Sequence, residues 1–422
     1  MGWRGVWGLG LLAASLLALP ASARICDPMS FGAKADGKTK DTKAIQAAID
    51  DCAAKGGGTV TLAYGVYLSA PIALKSNITL EIKHDATLLG SPDHADYPQT
   101  TVFRAPGMQS LITAVNAHDI VITGTGIIDG NGASWWRDTK GVKPGGIMGQ
   151  IVFRPRLIVF DHSRHIRMSG VTVQNSPSWQ IVPYYCDDVT INGITVLAPA
   201  DSPNTDAIDP FSSSNVRIFN VTADVGDDNV AIKSGKINSP GPDDPSRNIT
   251  IKDCTFLHGH GLSIGSELAG GAQNIVAENI HFKGTDQGIR IKSNRDRGHD
   301  VSHMIFKDID MDGVKTAILI SEYYPGVAPP ANNPAKPIGR LTPFFHDLHF
   351  ENITAKGGEV AAMVFGLPES PVKNLSMKNV KLSATTGLIV SDAQNVTLEG
   401  VKITVVQGKA VDIRSSAQVT MR

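Results

Sequence analysis

A parallel β-helix is the architecture this sequence predicts. A short apolar pattern returns again and again over the last three hundred or so of its 422 residues. Each return holds short alternating runs of strand type, and no regular helices separate them. Glycine is abundant at 42 residues, while aromatic residues make up only 6%. Many turns with few large core rings suit stacked β-coils better than a helical bundle.

From the N-terminus, residues 1–23 read as a signal peptide. Arg4 supplies the positive start, residues 6–19 are apolar, and Ala21-Ser22-Ala23 is a small-residue cleavage pattern. Cleavage there leaves residues 24–422 as one domain, secreted or periplasmic. The apolar run is shorter than the roughly 20 residues a membrane span needs. No second stretch looks transmembrane, so no membrane association is expected after cleavage. Cys26 and Cys52 flank residues 41–51, which read as a short helix with apolar Ala44, Ile45, Ala48 and Ile49. In an oxidising compartment these two cysteines could close the N-terminal segment. Cys186 and Cys254 lie in strand-like runs and are expected as buried free thiols. No cysteine pair has metal-site spacing, and neither a metal nor another cofactor is expected.

From about residue 119 the pattern is a polar residue, apolar-x-apolar, two polar or small residues, then apolar-x-apolar. Copies start at His165, Asp188, Asn215, Asn248, Asn274, His303, Asp347, Asn374 and Asn395. The first three starts are 23 and 27 residues apart, and the last two are 21 apart. A third strand follows the first two, as in Val230-Ala231-Ile232, Leu262-Ser263-Ile264 and Ile289-Arg290-Ile291. Alternation buries one face of each strand, and no single copy could bury that face alone, so copies must stack. A leucine-rich solenoid would need leucine consensus positions and a helical segment in each repeat, and neither is present. Asn-x-Ser/Thr occurs at Asn77, Asn220, Asn248, Asn352, Asn374 and Asn395. Most of these fall inside the repeat, so a bend with a stacked amide ladder explains them better than glycosylation does.

Stacking places residues 20 to 30 apart in sequence about 4.8 Å apart in space. Aligning the third strands puts residues 205–208 over 227–230, then 259–262, then 286–289. The result is a strip of Asp206, Asp227, Asp228, His260, Arg290 and Lys292. Clustered carboxylates repel, so at least one should hold a proton near neutrality, as a general acid for a glycosidic oxygen requires. A second, ionised carboxylate can activate water, and roughly 6.5–9.5 Å between the two suits inversion. Asp227 is assigned as the acid, with Asp206 and Asp228 sharing the base role. An isolated Asp-Asp is more often a solvated turn or a calcium ligand; the neighbouring segments reverse that. Between Gly259 and Gly261, His260 can hydrogen-bond a carboxylate, and the glycines would let a substrate approach the backbone. Arg290 and Lys292 are two apart on a strand, face the same way, and suit an anionic substrate. The balance of 39 basic and 40 acidic residues argues against a nucleic-acid partner bound by bulk charge, and permits such a local patch.

In that order, Asn204-Thr205-Asp206, Gly226-Asp227-Asp228, Gly259-His260-Gly261 and Arg290-Ile291-Lys292 resemble the four signature motifs of polygalacturonases, glycoside hydrolase family 28. Residues 259–266, GHGLSIGS, are especially specific. The resemblance extends from about Cys26 to the C-terminus, and Asn175-Ser176-Pro177 and the Trp135-Trp136 loop look like bacterial members. It implies an all-β, right-handed, single-stranded parallel β-helix of the pectin-lyase-like kind. It implies hydrolysis of the α-1,4 bonds of polygalacturonate, with inversion and without a metal. By the same resemblance Asp227 is the proton donor, Asp206 and Asp228 position or activate water, and His260 tunes the acid. Arg290, Lys292, Tyr324 and Asn204 would bind substrate. The context of Tyr324 departs from the family pattern in the adjacent Tyr323 and a Pro-rich insertion.

The partner expected is an acidic polysaccharide, and the chain is expected to act as a monomer. Endo action is slightly favoured over exo action, and insertions at residues 234–247 and 325–343 could block one end of a cleft. Two other readings stay open: a pectate lyase with calcium and an arginine base, and a non-catalytic carbohydrate-binding β-helix.

Overall fold

The computed structural model describes residues 24–139 and 153–422. The expected signal peptide lies outside them. Strand after strand, the alternating pattern stacks in register. Ile166 pairs with Val189, Val189 with Val216, Val216 with Ile249 and Ile249 with Ile275. Each is no more than 1% exposed. The column continues through Met304, Leu348, Leu375 and Val396. Around one coil the chain runs from Arg164–Ser169 to Thr172–Gln174 to Ile181–Tyr184, and each strand pairs in parallel with its counterparts on adjacent coils. The product is a right-handed parallel β-helix whose interior is one continuous apolar core.

Corners between the first and second strands are made by single residues in the left-handed region. In the strands Ser246–Phe256, Ala272–Lys283 and Asp300–Asp312 these are Asp253, Asn279 and Asp308, with φ of 55°, 52° and 56°. Asn and Asp tolerate that conformation because their short polar side chains bond locally. A second left-handed column begins the first strands. There Asn248 Nδ2 donates to Asn215 Oδ1 at 3.1 Å, and Asn274 Nδ2 to Asn248 Oδ1 at 3.3 Å. The amide ladder expected from the sequence is therefore present, and it accounts for the recurring Asn.

Coils also exist before residue 119. Gly58–Leu62 pairs with Ile78–Ile82, which pairs with His118–Gly124. The helix Thr42–Ala54 packs Ile45, Ala48, Ile49 and Cys52 onto the first coils and closes that end of the core. Asp41 precedes it, but its carboxylate accepts from Lys34 N and Ala35 N, at 2.7 and 2.9 Å, rather than capping the helix. A disulfide joins Cys26 to Cys52, and Cys186 and Cys254 are buried free thiols. Among the described residues no helix is long and apolar enough to cross a membrane.

Candidate active site

The third strands carry the site. Val230, Leu262, Ile289 and Ile318 are register partners, and Ile208 bridges to Val230. Two residues before the first two partners and before Ile208 come Asp228, His260 and Asp206, so all three occupy one column. The strip read from the sequence is real. Asp206, Asp227, Asp228, His260, Arg290 and Lys292 line one cleft with Asn204 and Tyr324.

Asp228 lies at the centre, its side chain 2% exposed. Its Oδ1 accepts from Arg290 Nη2 at 2.6 Å and Ser263 Oγ at 2.8 Å, and its Oδ2 from Lys292 Nζ at 3.0 Å. Burial opposes its charge, but Arg290, Lys292 and Lys233 outweigh burial and hold the carboxyl well below the usual range. Asp206 is nearly as buried and has the opposite balance. Burial, then Asp209 and Asp227, push it well up, against the pull of Lys233 3.6 Å away. Asp227 is the accessible member of the three, with a side chain 20% exposed. His260 Nδ1 stands 2.9 Å from Asp227 Oδ1, although not aligned as a full hydrogen bond. His260 Nε2 faces Asp286 Oδ2 at 3.4 Å. Contact with Asp227 raises the histidine above its ordinary value, against burial.

Asn204 sits at the rim with φ of 56°, and its Oδ1 accepts from Arg154 Nη2 at 2.6 Å. The Tyr324 ring takes Lys292 Nζ at 5.4 Å and the Arg297 guanidinium at 5.5 Å from its centroid.

One expectation changes. The glycines beside His260 do not open the backbone to substrate. A Cβ on Gly261 would meet Gln287 O at 2.1 Å, and one on Gly259 would meet Asp227 O at 2.4 Å, so neighbouring coils require both. Arg290 and Lys292 line the cleft with one ion pair each to Asp228, which offsets part of their charge.

Sequence reasoning missed Lys233, Glu267, Asp209 and Trp179. Lys233 follows Ile232 as Lys292 follows Ile291, so strand alignment carried one residue further would have found it. It lies 3.7 Å from Glu267 and 4.8 Å from the centre of the Trp179 ring. Asp209 is fully buried, its two carboxyl oxygens have no hydrogen-bond partner, and burial pushes it up to about 8 against Lys233. Among the described residues Asp227, Asp228 and His260 bring ligand atoms within 4.8 Å of one another. Asp228 has both oxygens taken by cations, which makes the trio a poor seat for a divalent ion.

Residues 62–402 match the family described as Glycosyl hydrolases family 28. The chain belongs to glycoside hydrolase family 28. This family 28 chain is 32% identical to a probable polygalacturonase of Vitis vinifera, over 86% of its length and 75% of that protein. It is 31% identical to an endo-polygalacturonase of Pectobacterium carotovorum subsp. carotovorum, over 89% of its length and 93% of the relative. Among solved structures it is similar to an exopolygalacturonase from Thermotoga maritima, with a TM-score of 0.78 and 28% identity, covering 90% of this chain and 92% of that one. The family makes the chain a glycoside hydrolase, and its relatives include both endo- and exo-acting enzymes.

Proposed function

We propose that the mature chain, from residue 24, is a secreted, monomeric polygalacturonase that hydrolyses α-1,4 bonds of polygalacturonate with inversion. The observation that carries this reading is the meeting of Asp206, Asp227 and Asp228 with Lys233, Arg290 and Lys292 in one cleft. Acids alone would repel a polyanion; the cations offset them. Asp227, the most accessible of the three acids and beside His260, donates its proton to the glycosidic oxygen. Asp206 and Asp228 hold the water on the opposite face. Asp206 favours its proton and Asp228 its charge, so Asp228 is the ionised acceptor for the proton that water loses. Arg290, Lys292, Asn204 and Tyr324 bind the substrate, with carboxylates drawn to the two cations. The Cys26–Cys52 disulfide suits an oxidising compartment, in keeping with removal of residues 1–23 on export.

A calcium-dependent lyase fits less well, since a divalent ion at Asp228 would face Arg290 and Lys292. The decisive measurement is new reducing ends against unsaturated products on polygalacturonate, with and without chelator. Reducing ends without unsaturation, insensitive to chelator, are expected; chelator-sensitive unsaturated products would overturn the reading. Asp227→Asn should lower kcat about 10²–10⁴-fold, the usual share of general acid catalysis. An unchanged rate would remove Asp227 from that role.

A further inference from the structure

The acidic strip runs along the helix axis, so a polymer lying on it must continue over the coils to either side. On the N-terminal side the same sheet face leads from Asp209 to Val182 one coil back and Val159 two coils back. That surface is covered. The antiparallel hairpin of Gln99–Val102 and Ala105–Met108 lies across it. At its tip the Phe103 ring packs 4.4 Å from Tyr184 and 5.6 Å from Phe211, in one buried cluster with Val159 and Val182. Trp179, which lines the catalytic cleft, stands 6.2 Å from Phe103, and the Arg156 guanidinium lies over both rings.

The tip is built against local preference. Val102 pairs with Ala105, leaving a two-residue turn of Phe103 and Arg104 with φ of 52° and 58°. Such turns favour Asn-Gly, and two bulky residues there mark a constraint imposed from elsewhere. Long-range ties supply it. Arg104 Nη2 donates to Asp243 Oδ1 at 2.7 Å and to the Tyr185 hydroxyl at 2.8 Å, and the Asp243 side chain is fully buried. Asp243 belongs to the first of the two long insertions. Arg340, from the second, donates to Ser239 O in the first. Three excursions from the coil are thus latched together beside the cleft.

Between the hairpin and the residues after Ser234 a pocket remains, lined by Phe103, Pro106, Arg156, Trp179, Phe211 and Lys236. It joins the catalytic cleft through Trp179 and Glu267, which line both. Two cations, Arg156 and Lys236, in an aromatic-lined pocket match a sugar ring that carries a carboxylate. Only two coil spacings, about 10 Å, separate the covered coil of Val182 from that of Ala231 in the strip. Resting on the polygalacturonase reading, we propose that the hairpin closes one end of the cleft and makes this pocket the seat of a chain end. The enzyme then cuts from that end, an exo action set by Phe103 and Arg104.

Product sizing on polygalacturonate, with viscosity followed in parallel, tests this. Monomer or dimer from the first time point, with slow loss of viscosity, is expected. A mixture of longer oligomers with rapid thinning would overturn the closed end and leave the hydrolase reading intact. No new reducing ends at all would sink the hydrolase reading instead. Replacing Phe103→Asn together with Arg104→Gly gives the turn its preferred residues while removing the ring and the latch. The share of products longer than dimer should rise about two- to fivefold, the bias a half-exposed ion pair can supply. Unchanged product sizes in that variant would also overturn the proposal.

Discussion

A buried carboxyl group without a partner costs free energy whenever it is charged, and Asp209 is such a group. Folding raises it from an ordinary carboxylate value to about 8. Between about pH 4 and that value the folded chain keeps a proton that the unfolded chain has lost. Stability therefore falls as pH rises through this window, by at most about 1.4 kcal/mol per pH unit. Asp209→Asn cannot ionise, so its unfolding free energy should be flatter over the window and higher near neutrality. Urea unfolding at several pH values checks this, and parallel slopes in the two proteins would contradict it. Asp209 also marks where reading the sequence stopped. Asp206, Asp228 and His260 were legible because unusual residue types recurred at one coil position, and Asp227 because it adjoins Asp228. Asp209 precedes a proline and looks like part of a turn; only the covering coils reveal that it is dry.

At the scale of the element, the corner residue is the unit. Asn248 adopts φ of 55° and is bonded through its amide to the neighbours on both sides. Two contributions can be separated there. Asn248→Ala loses the amide bonds and also the local polar bonding that lets Asn tolerate the left-handed region, where alanine costs roughly 1–2 kcal/mol more than glycine. Asn248→Gly loses the bonds alone. Chemical denaturation should rank wild type above the glycine variant, and the glycine variant above alanine. Equal losses would mean that the corner carries no conformational preference. The repeat was readable from residue 119 onward because these corners recur beside strict alternation. The coils at Gly58–Leu62 and Ile78–Ile82 were not, although Asn77 sits at the same kind of bend, with φ of 62°. The hairpin excursion at residues 99–108 interrupts the period there, and periodicity needs uninterrupted neighbours to be seen.

Across the whole molecule, stability is close to a sum of coil terms and nearest-neighbour contacts, while activity depends on a few adjacent coils. The two can therefore be uncoupled by position. Ile264 and Leu398 are both buried core residues, 0% and 1% exposed. Ile264 lies between Ser263, which donates to Asp228, and the register shift that follows its pairing with Ile232, so its packing sets the register of the site. Leu398 lies in Ala393–Glu399, near the C-terminal end of the stack and far along the chain from the acids. Truncating either to alanine should cost about 2–5 kcal/mol by removing buried methyl groups and leaving a cavity. Only Ile264→Ala should also lower kcat, because a shift of its strand moves Asp228 and Arg290 together, whereas the loss at Leu398 passes only to the coils that touch it. Measuring kcat at a temperature where both variants remain folded separates the two effects. If Leu398→Ala lost as much activity as Ile264→Ala, the coils would be acting as one rigid body, and alignment between adjacent coils would not be what assembles the site.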